Sequence, residues 1–175
     1  GTSLDISGDI DVDGTTNLDV VDIDGAVDMA ATLQVDGAIT SDGPAVFSLT
    51  SNANNLTLVS TDADASKGPN LVFYRNSASP ADGDDLSTID FIGRNDNSQD
   101  VTYGQIKSVL VDASDGTEDA RLEFYRMIGG TSSPDLQLNS EGVVLNEGSG
   151  DRDFRVESNG NANMLFVDGG NDKVT

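Results

Sequence analysis

Residues 1–43 read GTSLDISGDIDVDGTTNLDVVDIDGAVDMAATLQVDGAITSDG, a ladder of short apolar-alternating units punctuated by Gly and Asp. Each unit places two mostly apolar residues two positions apart: Leu4/Ile6, Ile10/Val12, Val21/Ile23, Val27/Met29 and Leu33/Val35. That spacing sends both side chains to one face of a strand. Gly8, Gly14, Gly25, Gly37 and Gly43 mark corners, where a residue without Cβ turns most cheaply. The pattern predicts a β-solenoid or intertwined β-helix, an architecture of length and surface without a natural pocket for chemistry. One copy is too short to close its own core. Three-sided coils need roughly 18 residues each, so the ladder supplies about two where roughly three are the usual minimum. Three chains winding about one axis would complete each layer. Asp9, Asp11, Asp13, Asp19, Asp22, Asp24 and Asp28 alternate with the apolar positions, and a one-residue slip would bury them, which fixes the register.

Composition points the same way. Of the 175 residues, 36% are hydrophobic and 5% aromatic, little for a chain that must build a thick core alone. Other copies of the chain would supply the missing burial. The opening at Gly1 without a Met and the end at Val174-Thr175 lead us to expect a piece of something longer. The net charge of -22 is dominated by Asp, a turn residue, over Glu, a helix residue. An acidic surface repels phosphate backbones and anionic membranes, so no nucleic acid and no membrane insertion are expected. With no Cys and no His, there is no disulfide, no thiolate zinc site, no Cys nucleophile and no Ser-His-Asp triad. No apolar run approaches ~20 residues.

Beyond the ladder, Pro44 opens a segment of different character, with a short strand at 55–60 and a polar loop at 61–69. Strands are predicted at 70–75, 86–94, 101–111 and 119–127, joined by Asp-, Asn- and Gly-rich turns at 79–85, 95–100 and 112–117. Short ladder-like units return at 135–138, 142–145, 153–156 and 164–167. The domain reading is therefore shaft repeats at 1–43, an antiparallel β domain at 44–128 and a second fibrous segment at 129–175, all β throughout.

Motifs for chemistry are few. Residues 9–14 (DIDVDG) open like an EF-hand loop, but the twelfth position, where a bidentate Glu is required, is Val20. Looser cation sites would use Asp82, Asp84 and Asp85 on one turn, and Asp112, Asp115, Glu118 and Asp119 on another. Ordinary turn chemistry accounts for the same residues. No cofactor is expected; a structural calcium at those turns is the one candidate. Paired carboxylates could hydrolyse glycosidic bonds, but there is no Trp platform for sugar stacking, and Tyr74, Tyr103 and Tyr125 fall inside predicted strands. Arg75, Arg94, Arg121 and Arg126 lie in or beside strands and read as cross-strand or intersubunit partners for Asp rather than as a ligand patch. Gly129-Gly130 and Gly169-Gly170 lack the Gly-Lys-Ser/Thr tail of a phosphate loop.

Three stretches, LTLVSTDADASKGPNLVFYRNSASPADGD (56–84), IDFIGRNDNSQDVTYGQI (89–106) and VDASDGTEDARLEFYRM (111–127), resemble a module of tail-fibre and related structural proteins of marine tailed bacteriophages. DRDFRVESNGNANMLFVDGGNDKVT (151–175) is similar to a segment common in the same proteins, and the ladder looks like their β-helical shaft. The resemblance implies an elongated homotrimer of the virion, outside the cell, without enzymatic activity. Its partners would be other virion proteins and a bacterial surface receptor. Alternatives are a capsid-decorating fibre, a polysaccharide-degrading tailspike and a calcium-dependent bacterial surface adhesin. No site residue is carried over from the family.

Overall fold

A computed structural model describes residues 13–14, 21–65 and 68–174. It is all β, with two antiparallel sheets and no helix among the described residues. The apolar pairs Leu4/Ile6 and Ile10/Val12, with Gly8, Asp9, Asp11, Asp19 and Val20, lie outside the described residues. The chain divides into two units, residues 1–57 and 58–175.

In the first unit the described residues form no strand. Val21, Ile23, Val27, Met29, Leu33 and Val35 are all exposed. The alternation predicts which side chains share a face, but a strand also needs a hydrogen-bonding neighbour, and within one chain this segment has none. For the same reason the strand expected at 55–60 makes no ladder. In the second unit, residues 70–75 also stay unpaired, although Leu-Val-Phe-Tyr is strongly β-prone. Tyr74 is therefore outside any strand, contrary to the sequence expectation.

Five strands make the first sheet in sequence order: β1 Asp85–Arg94, β2 Asp100–Asp112, β3 Asp119–Ile128, β4 Thr131–Asn139 and β5 Gly142–Leu145. The first three coincide with predicted strands to within a residue or two. The sheet then continues past the boundary expected at 128, because Gly129-Gly130 forms a tight hairpin rather than a linker. Both glycines have positive φ, 56° and 82°, and Ile128 pairs with Thr131 across them. This is the two-residue type I′ geometry whose twist matches the flanking strands. Pro134 sits in β4 where β5 has not yet begun, so its missing N–H leaves no ladder bond unmade. A bulge at Asp135 follows immediately.

The second sheet is a meander of β6 Phe154–Ser158, β7 Asn161–Asp168 and β8 Lys173–Val174. It occupies the region where the ladder-like units at 153–156 and 164–167 were expected to resume a fibrous segment. Gly169 allows the chain after β7 to press on the chain before β6. A Cβ there would lie 2.8 Å from the Arg152 backbone nitrogen.

Register gives the first sheet two chemically distinct faces. One carries the cross-strand rows Ile89–Ile106–Phe124–Leu136–Leu145 and Ser87–Ser108–Leu122–Leu138–Val143. The other carries Thr88–Lys107–Glu123–Gln137–Val144, with Val109 paired to Arg121 and Gln105 to Tyr125. The burial is inverted. Val109 (1% exposed), Glu123 (3%) and Gln137 (7%), the buried residues among those described, all lie on the polar face. On the apolar face Ile89, Phe91, Leu138, Val143 and Leu145 are exposed, and Ile106, Leu122, Phe124 and Leu136 are half-buried.

Candidate functional site

The two turns proposed as cation sites are brought side by side at one end of the first sheet. The Asp82 carboxylate accepts the Ala113 N–H (2.9 Å), tying the 79–85 turn to the loop after β2. Backbone bonds from Gly83 N to the Leu110 carbonyl and from Leu110 N to the Asp84 carbonyl reinforce the junction (both 2.8 Å). The carboxylates themselves are engaged separately. Asp84 pairs with Arg75 at 3.1 Å and accepts the Ala81 N–H, also at 3.1 Å. Asp85 pairs with the Lys107 ammonium at 2.8 Å. Asp112 accepts the Ser114 N–H at 2.8 Å and the Thr117 hydroxyl at 3.3 Å. Those bonds, the Ser114 backbone bond foremost, hold the Asp112 carboxyl below its ordinary value of 3.8. Asp115, Glu118 and Asp119 are exposed. No group of three or more metal-ligating side chains converges among the described residues. Within that part of the chain, no helix is long and apolar enough to cross a membrane.

The four arginines singled out in the sequence all form ion pairs within the chain. Arg94 meets Asp100 across the β1–β2 hairpin at 3.1 Å, Arg121 meets Glu123 at 2.9 Å, Arg75 meets Asp84, and Arg126 meets Asp135. The repeated Tyr-Arg dipeptide is used in two unrelated ways. Tyr74 is exposed and donates to Asn76 at 3.3 Å. Tyr125 donates to Glu123 at 2.9 Å in the most buried part of the sheet.

Two arrangements were not visible in the sequence. The first is the network around Glu123. Its carboxylate accepts from Arg121 Nε, Tyr125 OH and Gln137 Nε2, each at 2.9 Å, while the Asn139 amide donates to Gln137 Oε1 at 2.7 Å. Burial and the adjacent Glu123 carboxylate raise the Tyr125 phenol above its ordinary 10.0. The stripe Arg121, Glu123, Tyr125 at spacing two was the available signal, but it reads as a solvated face. Its closure over Gln137 depends on the β3–β4 register.

The second is a clamp between the sheets. Asp135, pushed out by the β4 bulge, accepts from Arg126 on β3 and from Arg152 Nη1 at 3.0 Å, just before β6. These side chains border an open cleft of about 420 Å³, whose apolar wall is Leu145, Phe154 and Val167. The arrangement ties two sheets together.

No family model matches the chain, and none of the curated proteins searched matches it.

Proposed function

We propose that the chain is a structural, non-enzymatic fibre component of a tailed phage, working as a homotrimer in the host-attachment apparatus. The observation that carries this reading is the inverted burial. Among the described residues one hydrophobic side chain, Val109, is buried, while apolar residues from Val21 to Val174 stand in water. A soluble monomer rarely leaves so much apolar surface uncovered. Fibrous β proteins do so until other copies cover it. The ladder at 1–43 would then wind with two further copies into a β-helical shaft, supplying the pairing partners that residues 21–43 lack alone. The turn carboxylates support a scaffold rather than a cation-dependent adhesin, because Asp82, Asp84, Asp85 and Asp112 are engaged by the chain's own groups. The resemblance of residues 56–127 and 151–175 to marine phage fibre modules supplies the setting: the virion, a bacterial receptor and neighbouring virion proteins.

Antibody raised against the purified chain, applied to particles of marine tailed phages, tests the assignment. Gold label on the tail together with blocked adsorption to host cells is the expected result. Label on the head would place the chain among capsid-decorating fibres. Absence of label from any particle would overturn the reading.

A further inference from the structure

We infer that the apolar face of the five-stranded sheet is the surface through which copies of this chain associate, packed against the same face of neighbouring copies. The inference rests on the homotrimeric reading and assigns its interface.

Three observations select this face and this occupant. The first is chemical. The chain carries 31 acidic residues, yet the rows Ile89–Ile106–Phe124–Leu136–Leu145, Ser87–Ser108–Leu122–Leu138–Val143 and Phe91–Gly104–Arg126 contain none. For a molecule of net charge -22, these rows allow copies to meet with one carboxylate beside them, that of Asp135, which Arg126 and Arg152 neutralise. Their one charge, Arg126, is paired within its own chain to Asp135.

The second is extent. The three rows hold 13 positions at about 4.8 by 6.8 Å each, roughly 420 Å² of projected face. Three such faces turned toward a common axis cover roughly 1,300 Å² in all, above the roughly 1,000 Å² that a biological interface needs, and side-chain relief enlarges the figure. The opposite face has no such unfinished surface at its centre, because Glu123 and Gln137 are already buried and satisfied there.

The third is relief. Large side chains stand beside small ones on the same face. Phe91 lies over Gly104, where an added Cβ would be 3.5 Å from the ring, and Ser108 sits between Ser87 and Leu122 in its row. About a threefold axis each copy's face meets two neighbours, so the knobs of one copy must fit the hollows of the next.

Because these 175 residues contain no Cys, single cysteines placed in them report burial without competing thiols from the same segment. Phe91→Cys and Val143→Cys probe the apolar face, and Ile92→Cys probes the opposite one. All three positions are exposed in the single chain, at 56%, 68% and 63%. Maleimide labelling of the full-length native particle is expected to be at least tenfold slower at positions 91 and 143 than at 92, with the difference abolished in denaturant. Dissociation by the first two variants but not by Ile92→Cys would support the same conclusion. Labelling at equal rates on both faces of an intact trimer would overturn this interface and leave the fibre reading standing. A monomeric parent chain would overturn both.

Discussion

Glu123 is buried among polar neighbours because each of its bonds comes from a side chain on the same sheet face: Arg121 and Tyr125 from its own strand, Gln137 from the next. Once such a network is complete, removing one donor leaves a buried acceptor short of a partner. Tyr125→Phe should therefore lower stability by about 1 kcal/mol at neutral pH, measured by urea unfolding, since the Arg121 and Gln137 donors remain. The raised Tyr125 phenol adds a pH signature. The folded state holds the phenolic proton more tightly than the unfolded chain, so this contribution is complete below pH 10.0 and is lost as pH rises through the higher folded-state value. Unfolding followed from neutral to alkaline pH should show that decline in the natural chain and its absence in Tyr125→Phe. A parallel decline in both would show that Tyr125 is not responsible. The residue scale was also where the sequence was hardest to read. Asp82, Asp84, Asp85 and Asp112 looked equally suited to a cation or to turn bonds, because the letters do not reveal which backbone N–H or ammonium each carboxylate meets.

At the level of elements, β1 and β3 were legible because Ile89/Phe91 and Leu122/Phe124 alternate between strong turn signals, and β2 because Thr102, Val109 and Val111 are β-branched and Gly104 disfavours a helix. The hairpin from β3 to β4 was not legible, because Gly129-Gly130 reads equally as a linker, and only the pairing of Ile128 with Thr131 makes it a turn. The stretches at 55–60 and 70–75 failed the other way. Their composition is strand-like, but a strand is a pairing relation, and composition does not say whether a neighbour exists within the chain. The Gly129-Gly130 turn can be tested cleanly. An added Cβ at Gly129 meets nothing within 4 Å, so substitution there changes backbone preference alone. Gly129→Asn should be tolerated or raise stability by about 0.5 kcal/mol, since Asn accepts φ near 56° and narrows the unfolded ensemble. Gly129→Val should cost about 1–2 kcal/mol, because a β-branched residue resists left-handed backbone. Thermal melts of the two variants beside the parent would decide. Equal melting temperatures would mean that the turn does not constrain the sheet.

For the whole molecule, the central feature is a sheet whose polar side is closed and whose apolar side is open. The first unit shows an imbalance of its own, in the exposed ladder residues Val21, Ile23, Val27, Met29, Leu33 and Val35. Low aromatic content and period-two alternation made this imbalance legible in outline. Which sheet face was left uncovered was not legible, because register decides it, and register emerges only when β1 to β5 are paired. The proposed assembly resolves both surfaces by the same means, other copies of the chain, and requires no bound cation. Light scattering of the native particle, with and without chelator, measures this most directly. The predicted result is a particle of three times the 18.2 kDa chain mass, unchanged by chelator. A well-folded 18.2 kDa monomer would contradict it, because one copy would then be holding its apolar sheet face and ladder in water unaided.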